Sequence, residues 1–408
     1  MNAARRIVIV GSGPAAVGAA MAARNQDAAA DIVMLSDEPC EPYEKPPLSK
    51  AVLTGKAMPH DAPIAGPAGV AGKKITLRND ARVAAIDRAG KAVTTEAGER
   101  IPYDALVLAT GSLNRMLPMF PPQKGIHYLR THDEALALKA DLARAKSLLV
   151  VGGGLIGLEV ASSAAELGIK TTVVEIAPRI LARVCDEETS ALIHARHCQA
   201  GAEIRVGTAV AALRPMPDGG FAIETKAGDT IAADLIVVGI GVVPEDRLAK
   251  AAGLDVNDGI LVDDHCRTSD PAVFAAGDCT RFVGPNGPVR LENWRHAQQH
   301  GSVAGRNAAG GDMAYTMLPS YWSEQYDMYI QGMGWPIAQP SKRVRRQLGP
   351  NATLLFELDG ERIAYVLGIN AQREMGPARR LIEQRVPVDA EALADPGKPL
   401  NAMLKAKA

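Results

Sequence analysis

This chain of 408 residues carries no excess of either charge: 45 Lys and Arg stand against 46 Asp and Glu, for a net charge of −1. With a pI near 6.7, nothing in the global electrostatics points to nucleic acid or a membrane surface as partner. No apolar run is long enough to span a bilayer, the longest lying around Leu235 to Val243. No two of the five cysteines (Cys40, Cys185, Cys198, Cys266, Cys279) are separated by only two residues. That excludes a zinc knuckle and a thioredoxin-type pair, and an odd count suits a reducing cytoplasm, the expected location. His194, His197 and Cys198 lie close on a probable helix, but no second ligand group follows, so they read as a polar helix face and no metal is expected. Arg5-Arg6 precedes an apolar run that is already a strand of the fold, so no targeting segment is read. Aromatics are few, at 4%, whereas 47% hydrophobic residues and 39 glycines suit buried parallel sheets joined by tight turns in two or three domains.

What is present is organised around LLVVGGGLIGLEVASSAAELGIKTTVVE, residues 148–175. It reads as strand, turn, helix, strand. Gly152 permits the tight turn, Gly154 lets the backbone approach a pyrophosphate, and Gly157 lets the helix lie close on the strand. The helix start offers unpaired N–H groups to phosphate. Glu175, at the end of the second strand, would accept from ribose hydroxyls and repel a 2′-phosphate, favouring NAD over NADP. The N-terminus repeats the pattern: RIVIV precedes Gly11, Ser12, Gly13, Pro14, Ala15 and Ala16, then come an alanine-rich helix, a strand at Ile32 to Leu35 and the acidic pair Asp37 and Glu38. Two such folds imply two dinucleotides.

Pro46-Pro47 rigidifies the chain before a probable helix from Leu48 onward, which would fix the direction of Lys50. Residues 56–73 read as surface loop. Strands are expected at Ile75 to Leu77, Val83 to Ile86, Ala92 to Thr95 and Leu106 to Ala109, the last running into Thr110 and Gly111. A helix from Asp133 to Ala145 leads into the second unit, whose later strands Gly220 to Thr225, Asp229 to Ile231 and Leu235 to Gly241 echo those of the first. A strand at Ala272 to Ala276 would complete the first sheet, so the second unit is inserted into it. The α/β class expected is thus two Rossmann-like units followed by an α+β domain. Its divisions are 1–113 and 244–325 for the first nucleotide unit, 114–243 for the second, and 326–408 for the C-terminal domain, with strands at Ser341 to Leu348, Thr353 to Leu358 and Ile363 to Ile369 and a basic amphipathic helix at Pro377 to Gln384. The run SKRVRRQ, with Lys342, Arg343, Arg345 and Arg346, reads foremost as a solvated strand edge.

The stretches GSGPAA, YEKPPLSK, LVLATGS, YLRT, GGGLIGLEVA, VGIGVVP, TSDPAVFAAGDCTRF, ENWRHAQ and YWSEQYD cover nearly the whole chain. In this order they resemble the NAD(P)H-dependent ferredoxin reductases of the glutathione-reductase fold, of the putidaredoxin reductase and Rieske dioxygenase reductase type. The resemblance implies a flavoprotein that takes a hydride from NADH onto FAD and passes single electrons to a 2Fe-2S ferredoxin serving a cytochrome P450 or a Rieske oxygenase, as a monomer or weak homodimer. It places Gly11, Gly13, Pro14, Ala15, Ala16, Asp37, Val83, Thr110, Gly111, Arg130, Gly277, Asp278 and Trp294 around FAD, with Lys50 reaching toward flavin N5 and Asp278 opening a helix-like segment. It places Gly152, Gly154, Leu155, Ile156, Gly157, Glu175, Arg183, Gly239, Ile240 and Gly241 around NAD, with Glu159 behind the nicotinamide and paired with Lys50. It turns Trp322, Arg295 and the basic residues Lys342, Arg343, Arg345 and Arg346 toward the ferredoxin. Two positions depart from the family: Lys45 replaces an arginine, and Ser320 stands where a tryptophan is common. Two alternatives share the fold. One is a single-cysteine NADH peroxidase or disulfide reductase using Cys40, although the SFxxC context is absent; the other is a redox-sensing binding protein like apoptosis-inducing factor.

Overall fold

A computed structural model of the chain describes residues 4–217 and 219–404. The apolar run Arg6–Val10 is the middle strand of a five-stranded parallel sheet. Asp31–Leu35 and then Thr76–Arg78 lie on one side, Ala105–Leu108 and then Val273–Ala275 on the other. Its short Val, Ile and Leu runs are buried on both faces, as parallel strands under helices must be. The helix Pro14–Gln26 packs so closely on the helix Trp294–Ala308 that a Cβ added to Gly301 would stand 2.0 Å from the Ala15 carbonyl oxygen.

A second parallel sheet repeats the first. Ser147–Val151 is central, Lys170–Val174 and Glu203–Arg205 follow on one side, and Leu235–Val238 and Ile126–His127 on the other. Each sheet has an antiparallel companion of three strands: Val83–Asp87, Ala92–Thr95 and Arg100–Pro102 in the first unit, and Val210–Pro215, Phe221–Thr225 and Thr230–Ala233 in the second. The chain passes between the units at Ser112–Asn114 and Val242–Pro244, which pair antiparallel.

The C-terminal sheet is antiparallel, in the order Ser320–Gln325, Met328–Gly334, Arg362–Ile369, Ala352–Asp359, Lys342–Gly349. One face is covered by the helix Gln372–Glu383 through Met375, Ala378 and Leu381. The other shares an apolar core with the second unit, where Ile330, Leu355 and Leu367 meet Leu158 and Val160. Burying these faces together presses the strand Ser320–Gln325 onto the helix Leu155–Glu166. Among the described residues no helix is long and apolar enough to cross a membrane.

Three local expectations are corrected. In place of a helix from Leu48 there is a single 3-10 turn, Pro46–Ser49, with both prolines inside its first positions, and further turns follow as far as Gly55, whose φ is +76°. The C-terminal helix starts at Gln372, not Pro377; the carbonyl that Pro377 leaves without its helical partner belongs to the exposed Arg373. Asp278 opens no helix: Gly277 turns the chain at φ +81°, the Thr280 N–H closes on the Gly277 carbonyl, and Thr280–Gly284 is a strand.

Candidate active site

Both glycine loops are built alike. Gly11 has a φ of +121°, and a Cβ there would meet the Ala109 carbonyl oxygen at 2.3 Å; Gly152 has a φ of +113°, and its Cβ would meet the Gly239 carbonyl oxygen at 2.4 Å. Gly157 must also be glycine, because a Cβ would fall 2.2 Å from the Gly152 carbonyl oxygen. Gly13 and Gly154 are the N-caps of Pro14–Gln26 and Leu155–Glu166, neither helix start is capped by a side chain, and no atom lies within 4 Å of where their Cβ would be. Two sets of free N–H groups thus face open space, the arrangement that holds a pyrophosphate. Ile156 lies exposed on the first turn of the second helix beside the half-buried Leu155. The Glu175 carboxylate accepts from the Gly153 N–H at 2.7 Å and the Ala177 N–H at 2.8 Å. In the first unit Asp37 is exposed and paired with Arg82 at 3.0 Å, and Val83 follows half-buried on the neighbouring strand.

On the helix that follows the second loop lies one end of an ion pair. Lys50 Nζ is 3.0 Å from Glu159 Oε2, and Glu159 is only 3% exposed. The carboxylate is fully occupied: Ser49 Oγ also donates to Oε2, while Ser323 Oγ at 2.7 Å and the Glu324 N–H at 3.4 Å donate to Oε1. These donors converge on the carboxylate and fix its orientation. Ser49 and Ser323 are site residues that the sequence reading does not name, although both lie inside the PPLSK and YWSEQ stretches.

A second charged group joins the two units. Asp278, 8% exposed, accepts from Ser112 Oγ at 3.0 Å and pairs with Arg130 at 3.0 Å. Arg130 is aimed by its own backbone, since Glu134 closes a capping box with Thr131 and also accepts the Arg130 N–H at 2.7 Å. Gly277 is held from below by His300, whose Nδ1 accepts its N–H at 3.2 Å; burial drives the His300 imidazole well below its ordinary value, so it stays a neutral acceptor. Thr110 Oγ1 donates to the Glu245 carbonyl, and Gly111 takes a φ of +71°. Arg183 is exposed and lies near Gly241, which ends the second unit's glycine turn after Ile240 at a φ of +103°.

Trp294 packs edge-on to Trp322, with ring centroids 6.0 Å apart. Among the described residues its buried indole N–H has no hydrogen-bond partner of good geometry, although the Glu44 carboxyl lies close enough for its pKa to be lowered by it against the effect of burial. Arg295 is exposed on the next residue. The basic run is corrected in part: Arg346 is 1% exposed and donates to the carbonyls of Leu393, Asp395, Pro396 and Lys398, and Arg345 pairs with Asp186 and Glu188. These two arginines tie the edge strand to other parts of the chain, and Arg346 is turned inward. Lys342 and Arg343 alone remain exposed on that edge, Arg343 within reach of Glu357. Lys45 pairs with Glu38 at 2.9 Å and donates to Tyr43 and the Arg130 carbonyl. Cys40 packs against Tyr43, Leu48 and Val52, and burial, aided by Glu38, raises its thiol above the ordinary value, the reverse of an activated thiolate.

Residues 5–301 match the family described as pyridine nucleotide-disulphide oxidoreductase, and residues 320–404 match the reductase C-terminal family. The chain belongs to the pyridine nucleotide-disulphide oxidoreductases. Within them it is similar to the ferredoxin–NAD(+) reductase component of the anthranilate 1,2-dioxygenase system of Burkholderia cepacia, with 42% identity over 97% of this chain and 98% of that protein. It is 34% identical to putidaredoxin reductase of Pseudomonas putida, over 100% of this chain and 98% of that one. The fold superposes on the reductase in the covalent putidaredoxin reductase–putidaredoxin complex with a TM-score of 0.94, at 33% identity and 99% coverage of each chain. This oxidoreductase family uses FAD and NADH, and the open helix starts at Gly13 and Gly154 fit two such ligands.

Proposed function

We propose that this chain is the NADH-dependent reductase of a 2Fe-2S ferredoxin that serves a Rieske oxygenase or a cytochrome P450. The observation that carries this is the Lys50–Glu159 pair, whose glutamate is set on the helix that follows the second of two dinucleotide loops. In this reading residues 1–113 and 244–319 form the FAD-binding unit and 114–243 the NAD-binding unit, while the C-terminal domain starts at Ser320 and not at Tyr326 as expected from sequence, because Ser320–Gln325 pairs into its sheet.

Bound FAD supplies the conversion of the electron pair of NADH into single electrons for the ferredoxin. The chain supplies position and charge. The helix start at Gly13 would hold the FAD pyrophosphate, Asp37 its ribose, and Asp278 with Arg130 its ribityl chain, with Trp294 beside its ring. The helix start at Gly154 and Glu175 hold NADH, and Glu175 repels a 2′-phosphate. Lys50, directed by Glu159, presents a fixed positive charge where negative charge develops on reduction. Trp322, edge-on to Trp294, forms the surface from which electrons leave, with Arg295 and Lys342 steering an acidic partner. Cys40, packed and unactivated, takes no part, which speaks against a disulfide or peroxide reductase.

The test is NADH-driven cytochrome c reduction by the purified, FAD-loaded protein. The rate should depend on added 2Fe-2S ferredoxin and prefer NADH to NADPH. Equal rates without ferredoxin, or faster turnover with a disulfide or peroxide, would overturn the reading.

A further inference from the structure

Glu159 is the end of a longer buried line of polar groups that crosses from the second unit into the C-terminal sheet. Ser323 Oγ donates to Glu159 Oε1 at 2.7 Å, Gln325 Nε2 donates to Ser323 Oγ at 3.1 Å, His197 Nε2 lies 2.9 Å from Gln325 Oε1, and the Tyr326 hydroxyl lies 3.3 Å from His197 Nδ1. Ser323 is 0% exposed, Gln325 1% and His197 0%. The helix carrying His197, Glu187–Gln199, reads in sequence as presenting a polar face with this residue on it; the imidazole is instead fully enclosed.

The charge at one end fixes the direction of every bond. As a carboxylate, Glu159 can only accept, so the single proton of Ser323 is committed to it. Ser323 must then receive from Gln325, which turns the amide nitrogen toward the serine and the amide oxygen toward His197. That oxygen requires a proton on His197 Nε2, which leaves Nδ1 bare to accept from the Tyr326 hydroxyl. The line is complete only with neutral His197 in its Nε2–H tautomer. Burial, opposed by the bond to Gln325 and assisted by the nearby charges of Arg196 and His194, pushes its pKa down to about 4. Tyr326 is itself held firmly: it occupies the hairpin turn at a φ of +55°, its N–H donates to Ser162 Oγ at 2.8 Å, and Arg196 lies over its ring.

We infer that Ser323, Gln325 and His197 are positioning residues for the reaction of NADH, acting through Glu159 to hold the Lys50 ammonium in a single direction. The inference rests on the proposed function, and it gives a task to the serine and glutamine of the YWSEQ stretch. All three are enclosed, and the line they form meets the ion pair at the carboxylate they orient.

The experiment uses FAD-loaded protein and stopped-flow reduction by NADH. Wild-type protein that NADH fails to reduce would sink the proposed function itself, whatever the variants do. Given normal wild-type reduction, Ser323→Ala and Gln325→Leu should slow the saturating rate about tenfold, while the NADH concentration for half-saturation stays within about twofold. Ser323→Thr, which keeps the hydroxyl, and His197→Gln, which can still donate to Gln325, should restore the rate to within about threefold of wild type. A readout free of turnover comes from nitrogen-15 histidine spectra of the loaded protein, with the His197 signal assigned by its absence in His197→Gln. The wild type should show the Nε2–H tautomer at neutral pH, and Gln325→Leu should lose it. An Nδ1–H tautomer in the wild type overturns the inference. So does a saturating rate that changes less than twofold in Ser323→Ala and Gln325→Leu, or an equal loss in all four variants, which marks the line as structural only.

Discussion

Gly18 and Glu159 stand at the same position of two repeated units, each seven residues beyond the first glycine of its loop. On the first helix the position is used for contact between helices: a Cβ on Gly18 would meet the Gln298 carbonyl oxygen at 2.4 Å. On the second the same position carries a buried carboxylate that meets Lys50. The strand ends differ in the same sense. Gly11 and Gly152 donate to the carbonyls of Leu35 and Val174, so the next residues, Ser36 and Glu175, are equivalent. Ser36 Oγ donates to Ser12 Oγ at 2.8 Å, whereas Glu175 accepts from the Gly153 N–H. Both loops stay open, but in one copy the helix behind the loop is closed against the helix Trp294–Ala308, whereas in the other it carries the charged group that meets Lys50.

Exchanging these positions should break the comparison most severely at the helix contact. Gly18→Glu forces a charge into a backbone-to-backbone contact and should cost about 4 kcal/mol or more of stability, with protein recovered without FAD. A yellow variant that melts at the wild-type temperature would show that the two helices can part, and the contrast with Glu159 would lose its basis. Next is Glu159→Gln, which keeps the shape but removes the charge facing Lys50; reduction of bound FAD by NADH should slow about thirtyfold, roughly 2 kcal/mol. A change under threefold would reduce Glu159 to packing. Trp322→Ala sharpens the division between entry and exit of electrons. It should leave reduction by NADH nearly unchanged and slow ferredoxin-dependent cytochrome c reduction about tenfold, or 1.4 kcal/mol; equal loss in both would make Trp322 a packing residue of the flavin site. The smallest effect is expected for Glu175→Ser, which copies Ser36 into the second unit: the ratio of kcat/KM for NADH to that for NADPH should fall about fivefold, near 1 kcal/mol. An unchanged ratio would move nucleotide choice to another residue.

The central strands of the two sheets, two strands of each companion and the late strand at Val273–Ala275 are legible in the sequence because glycine spacing and short apolar runs are local signals, whereas Ile126–His127, Glu203–Arg205, Arg100–Pro102 and Val210–Pro215 carry no such run and are not expected. Lys50 and Glu159 come from the resemblance, since 109 positions separate them and no local pattern announces such a pair. Arg346 and His197 show what a sequence hides. Four charges in one run read as a solvated edge, yet Arg346 points inward to carbonyls 47 to 52 residues away. His197 looks like surface because its helix is polar; its partners, Gln325 and Tyr326, lie 128 and 129 positions on. Pro46-Pro47 suggest a helix to follow, whereas the two prolines themselves form the tight turn.

The place of Val273–Ala275 in the first sheet has a consequence for the order in which a ribosome can build this protein. That strand pairs with Leu106–Leu108, and Asp278 just beyond it meets Ser112 and Arg130, so the FAD site needs residues made far apart in time. The strands of the second parallel sheet, by contrast, are all in hand once Val238 has emerged. At cellular elongation rates the chain between them takes on the order of a few seconds to appear. Truncated chains ending near residue 250 and released from the ribosome should therefore resist protease over the second parallel sheet while the first unit remains open to cleavage, and FAD should be retained only by chains that extend past the helix Trp294–Ala308. Flavin capture by the shorter chains would show that the first unit closes without its last strand.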